Sequence, residues 1–222
     1  VDDLVADRVS ELVEGAANYV ESEYARRCAS GERECVATPS QRGGSDGPSP
    51  NLGILLTVFQ PYSDGPVYVA SLVEEGGWDA VNDAFESPPT STEQVIHVTD
   101  EEPVPIDFRD RSTGEWERYL SQGVEGSDTV GEASIFAMFW TQARAGADTI
   151  NPQGLSETES SYDTYNYAAA PSTGWANDRV FPYHKGSGPT AEYGYVWVTE
   201  WDSEEDAREF LEAYRAILRA QG

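Results

Sequence analysis

Lysine is all but missing from this chain of 222 residues. Lys185 stands alone beside 13 arginines, and the 14 basic residues face 40 acidic ones, for a formal net charge of −26. Nucleic-acid binding needs clustered Lys and Arg against phosphates, so a field of this sign excludes it as the ordinary activity. No apolar run approaches the roughly 20 residues of a membrane span, and no signal peptide or C-terminal anchor motif is read. A Gly-x-Ser-x-Gly elbow, a P-loop, a Gly-rich dinucleotide fingerprint and a His-Glu-x-x-His pair are also missing. The two histidines, His97 and His184, lie far apart in sequence, so this chain alone supplies no helical zinc pair. The first residue is Val1 rather than Met, which reads as a processed product or a fragment.

Aliphatic residues are scarce as well. Val, Leu, Ile and Phe make up about 19% of the chain, which together with the charge falls in the disordered class. The 12 Tyr and 6 Trp reverse that reading. Each large ring buries roughly 150–250 Å², so a folded core is within reach. An acid-rich surface almost empty of Lys is the pattern of haloarchaeal proteins, in which molar salt screens the self-repulsion. An acidic mesophilic protein from a GC-rich genome is the alternative.

The two cysteines, Cys28 and Cys35, flank a short polar loop holding Gly31. An isolated pair without nearby histidines is no zinc ribbon, and a disulfide is the expected state. It implies an oxidising, extracellular or cell-surface setting. No Asn-x-Ser/Thr sequon occurs.

Periodicity predicts an α+β chain. Asp2 or Asp3 caps a first helix running to about Cys28, with Val5, Val9, Leu12, Val13, Ala16 and Val20 on the apolar stripe. Asp7, Glu11, Glu14, Asn18 and Glu21 form the opposite face. A polar loop follows to about residue 50, and the apolar run 51–62 reads as a helix or an extended entry to one. Residues 66–85 read as two short helices broken at Gly76-Gly77. Ser91 and Gln94 have the spacing of a capping box. Residues 103–108, with Pro103 and Pro105, are a candidate edge strand. Another helix is capped near Ser127 or Asp128. Residues 150–173 carry no apolar period and read as a polar surface insert.

The last fifty residues carry the clearest signal. Two strands around a Gly186/Gly188 turn form a hairpin, with Tyr193, Tyr195, Trp197 and Trp201 alternating along one side. Ser203 then caps a helix whose buried stripe is Phe210, Leu211, Tyr214, Ile217 and Leu218. The chain is therefore divided into a helical portion (1–149, with a loop at 36–50), the insert (150–173) and a ββα unit (174–222) on the same core.

Several segments resemble one family. Residues 11–21 (ELVEGAANYVE), 59–97 (with GGW…PPTSTEQ…H), 130–135 (VGEASI) and GWANDR with YVWVTEWDSEEDAREF look like the C-terminal part of gluzincin-like zinc metallopeptidase relatives, including haloarchaeal surface proteins. The resemblance implies a mainly helical gluzincin-like portion followed by the β-hairpin and helix. It further implies that Glu14 is a third zinc ligand, that Asn18 orients a ligand, and that His97 stands in the substrate-side wall. Zinc would enter only if an N-terminal portion supplied two His ligands, and that cleaved portion of the same precursor is the implied partner.

Each residue also has a plainer reading. Glu14 can belong to a solvated acidic face and His97 can be a hydrogen-bonded structural histidine. His184 sits at the hairpin turn, where exposure is expected. Glu132, Asp178 and Arg179 match the family's motifs and suit structural ion pairs. The Tyr/Trp stripe is either packing under the terminal helix or a sugar-stacking platform. The alternative to an incomplete metallopeptidase is a non-catalytic surface protein that meets another cell-surface protein.

Overall fold

Packing turns this sequence into two compact units, Val1–Pro89 with Gln153–Tyr167, and Thr90–Pro152 with Ala168–Gly222. A computed structural model describes residues 2–36 and 51–222, with side chains in the first stretch from Val9 onward. The loop expected at 36–50 falls almost wholly outside the described residues.

The first unit is helical. α1 spans Asp2–Ala29 and α2 spans Leu52–Glu86. Asn51 caps α2 by accepting the amide N–H groups of Gly53 and Ile54. Pro61 and Pro66 lie within α2, which continues through both. The expected break occurs at Gly76-Gly77, where Gly77 takes a φ of 67° that other residues rarely adopt. The two helices meet backbone to backbone. A Cβ on Gly15 would lie 2.6 Å from the Gly65 carbonyl, and one on Gly65 would lie 2.7 Å from the Glu11 carbonyl oxygen.

That close approach sets the rotation of α1 and corrects the expected stripe. Leu12 is fully buried with Val69, Val81 and Ala84, yet Val13 and Val20 are exposed, and Glu11 faces inward instead of outward. Burial, with no partner on Oε2, pushes the Glu11 carboxyl up to about 8. The segment read as a surface insert also contributes to this unit. Tyr167 is fully buried and its hydroxyl donates to the Leu56 carbonyl at 2.7 Å, while Tyr162 donates to Glu23 at 2.7 Å.

The second unit holds α3 (Thr92–Ile96), β1 (Trp116–Arg118), α4 (Glu132–Arg144), β2 (Trp175–Lys185), β3 (Glu192–Trp201) and α5 (Glu204–Gln221). The strands form an antiparallel sheet in the order β1-β2-β3. The chain is thus α+β, closing on strands followed by a helix. Ser91 makes its capping box with Gln94, and Ser203 accepts the Asp206 amide at the start of α5.

Two expectations fail here for physical reasons. Residues 103–108 form no strand, because Pro103 and Pro105 donate nothing to a ladder. One backbone bond, from Val104 to the Ala176 carbonyl, holds the segment beside β2. α4 starts later than Ser127 or Asp128. Ser127 closes a turn with Val124, and Asp128 exchanges two backbone bonds with Val180, so both are committed elsewhere. On α5, Ala213 and Ala216 are buried with Phe210 and Ile217, whereas Leu211 and Leu218 are exposed.

Candidate functional site

The zinc reading centred on Glu14 and Asn18, which lie one turn apart on α1. Asn18 Nδ2 donates to the backbone carbonyl of Glu14 at 2.8 Å, leaving the carboxylate to the Tyr62 hydroxyl. Both residues are half-buried. Among the described residues, no three His, Cys, Asp or Glu side chains gather into a group able to hold a metal ion. Cys28 and Cys35 form a disulfide with their Cα atoms 5.6 Å apart, as their spacing predicts.

His97 belongs to the second unit and meets a residue far away in sequence. Its Nε2 lies 2.9 Å from Oε1 of Glu132, the first residue of α4, which is wholly buried. Burial raises the Glu132 carboxyl, and the hydrogen bond to Glu132 raises the His97 imidazole. One helical turn before His97 lies Glu93, which the sequence did not single out. Burial first, then the neighbouring charges of Glu132, Asp202 and Glu101, lift it to about 8. Oε2 of Glu93 and Oε2 of Glu132 have no hydrogen-bond partner. The cluster ties α3 to α4, and burial there favours the protonated form of Glu93.

Asp178 has the opposite environment. It is wholly buried, and its carboxylate accepts four N–H donors. Oδ1 takes the Gly131 amide at 2.8 Å and the Trp175 indole at 2.9 Å. Oδ2 takes the Val130 amide at 2.9 Å and the Trp197 indole at 2.8 Å. Gly131, the N-cap of α4, has no side chain to cap with, so Asp178 caps from the sheet, while Thr92 Oγ1 accepts the Ala133 amide. The ion pairs expected of Asp178 and Arg179 are not formed among the described residues; of the three residues, Glu132 alone gains a basic partner.

The aromatic stripe of β3 divides in two. Trp197 and Trp201 pack on Phe210, at ring separations of 5.3 and 4.8 Å. Tyr193 and Tyr195 are 67% and 59% exposed, and only the Tyr195 hydroxyl reaches α5, 2.8 Å from that of Tyr214. Beside them lies a hollow of about 530 Å³, lined also by Tyr119, Gln122, Pro182 and Tyr183. A second hollow of about 520 Å³ shares Tyr183, Gly194 and Tyr195, and adds Trp116, Arg109 and Arg111. His184 is half-buried, not exposed, with its ring edge against Tyr119 at 5.2 Å.

Tyr119, Arg109 and Arg111 were not read as site residues. Their signal was weak: a Tyr and two Arg bordering a segment with no clear period. The structure thus brings together His97 with Glu132, and Tyr193 with Tyr195, but Glu14 and His97 belong to different units. A family model described as a domain of unknown function (DUF8575) matches residues 117–222, just under half of the chain. That stretch carries Tyr119, Glu132, Asp178 and the hairpin, and leaves out Glu93, His97 and the two arginines. No curated protein matches the chain, and no solved structure does either.

Proposed function

We propose that this is a secreted or cell-surface protein of a high-salt, haloarchaeal setting that works by binding, through the open half of the sheet in its second unit. The observation that carries this reading is the exposure of Tyr193 and Tyr195 on the very face that buries Trp197 and Trp201. Large rings left in water beside a hollow of ligand size mark a recognition surface. The disulfide supports an oxidising compartment. The near-absence of lysine and the charge of −26 support salt adaptation.

Retention on isolated haloarchaeal cell envelopes, in about 2 M NaCl where screening is short-ranged, tests the reading. The wild-type protein is retained, and the Tyr193→Ala/Tyr195→Ala double variant is released at an unchanged melting temperature. Equal retention of both would refute it.

The second reading is the C-terminal part of a gluzincin-like zinc metallopeptidase, favoured by Glu14, whose half-buried carboxylate is held by Tyr62 with Asn18 one turn away. Zinc would then need two histidines from another polypeptide, such as a cleaved N-terminal portion of the same precursor. Native mass spectrometry from high salt tests it. A second polypeptide with about one zinc, lost in Glu14→Gln, supports the reading, and a metal-free single species contradicts it.

A further inference from the structure

The antiparallel register gives the sheet two unlike faces. Tyr193, Tyr195 and Trp197 point to the side on which α5 packs, whereas Arg118, Tyr183, Gly194 and Val196 point to the other. The hollow of about 520 Å³ lies on this second face. Residues 108–118 build its surroundings. Phe108 stacks on Phe181 at 3.7 Å, and the Arg118 guanidinium stands 4.7 Å from the Phe181 ring and donates to the Gly126 carbonyl. Asp110 Oδ1 accepts the Tyr183 hydroxyl and the Ser112 amide, each at 2.8 Å, which pins the segment to β2.

Charge sets this hollow apart. The chain carries 40 acidic residues, yet no Asp or Glu lines it, and its charged lining is Arg109 and Arg111. Both arginines are exposed, and among the described residues neither forms an ion pair. The neighbouring acids have other partners. Asp110 is turned to Tyr183, while Glu115 and Glu192 are drawn to Lys185, at 3.8 and 3.3 Å.

The rest of the lining bears on the body of a ligand. The Trp116 ring lies beside Gly194, 3.5 Å from where a Cβ would stand, and Val196 on the same face is 42% exposed. Together they offer an apolar wall to a flat ring. Arginine forks match a planar carboxylate through two parallel hydrogen bonds. A phosphate finds less here, because the Ser112 amide is already taken by Asp110 and adds nothing to a backbone cradle.

We infer that this hollow binds a small monocarboxylate carried on a flat aromatic body, with the carboxylate on Arg109 and Arg111 and the ring against Trp116. The site is separate from the tyrosine face and does not rest on the reading given for that face.

Ligand-observed NMR titration with phenylacetate, its neutral counterpart phenylacetamide, and phenyl phosphate tests the inference. In about 2 M NaCl screening reaches about 3 Å or less, so a preference for the acid reports direct contact and not the general field. Phenylacetate is expected to bind about tenfold more tightly than the amide. Arg109→Gln/Arg111→Gln brings the acid to the amide's affinity at an unchanged melting temperature, since both side chains are exposed. Trp116→Leu weakens acid and amide alike. Tyr193→Ala leaves both affinities unchanged, and the arginine variant stays on envelopes, so the two readings fail separately. No binding of phenylacetate, equal affinity for acid and amide, or a preference that survives the arginine substitutions overturns the site. Tighter binding of phenyl phosphate than of phenylacetate overturns the carboxylate assignment.

Discussion

One strand, β3, contains two regions that read alike in sequence and behave differently in space. Trp197 and Trp201 are covered by α5 through Phe210 and Tyr214, and the Trp197 indole is anchored on buried Asp178. Tyr193 and Tyr195, on the same face and in the same alternation, lie open. The first half joins the core of Ile135, Phe139 and Trp175, where apolar burial and complete hydrogen bonding stabilise the fold. The second half lies open, and Tyr195 reaches α5 only through its hydroxyl. An aromatic stripe on a strand thus marks an apolar face, and what covers that face decides its role.

The covered half breaks first at Asp178. Asp178→Ala leaves four N–H groups without their acceptor, two of them indoles, each costing about 1–3 kcal/mol. A total loss above about 4 kcal/mol is expected, read as collapse of the second unit's thermal transition by circular dichroism in high salt. A loss under 1 kcal/mol would show that the anchor is dispensable. Phe210→Ala removes the ring on which Trp197, Trp201 and Phe139 converge. It should cost about 3 kcal/mol in the same measurement, within the range of buried aromatic deletions.

pH separates the halves more gently. Glu93, raised to about 8, and Glu11, also raised to about 8, keep their protons in the fold at pH values where the unfolded chain has released them. The unfolded state then binds fewer protons, so stability falls as pH rises from about 4.5 through 8. His97, raised by Glu132, acts in the same direction, its contribution being lost as pH climbs through its folded value. The melting temperature should drop by roughly 5 °C or more between about pH 5 and pH 9 in high salt. Glu93→Gln should flatten that slope, and an unchanged slope would contradict the assignment.

The smallest expected effect is at the boundary. Tyr214→Phe removes the hydroxyl that meets Tyr195. It should cost under about 1 kcal/mol, a partly exposed neutral hydrogen bond. A larger loss in the melt would mean that the open half is also part of the core.

Local signals were legible in the sequence. The Gly76-Gly77 break, the Ser91 capping box, the Ser203 cap, the hairpin and the Cys28–Cys35 pair each depend on residues close together along the chain, and each is formed. What was not legible depends on distant partners. The rotation of α1, with Glu11 in and Val13 out, is set by Gly15 against Gly65, not by the spacing of valines. The start of α4 is set by Asp178, some 50 residues downstream on β2, and no residue near Ser127 could announce it. Tyr167 was hidden by a polar neighbourhood although its own ring is fully buried. The His97–Glu132 pair and the Glu93 carboxyl became a cluster only once α3 met α4. Exposure of Tyr193 and Tyr195 depends on how far α5 extends over β3, which alternation alone does not encode.

The central claim, that the open half of β3 is the recognition surface, is tested most directly by fluorine NMR of the 3-fluorotyrosine-labelled protein titrated with solubilised envelope material. The account predicts that the Tyr193 and Tyr195 resonances move on titration while that of buried Tyr167 stays fixed. Motionless Tyr193 and Tyr195 signals under conditions where the protein is retained on envelopes would contradict it.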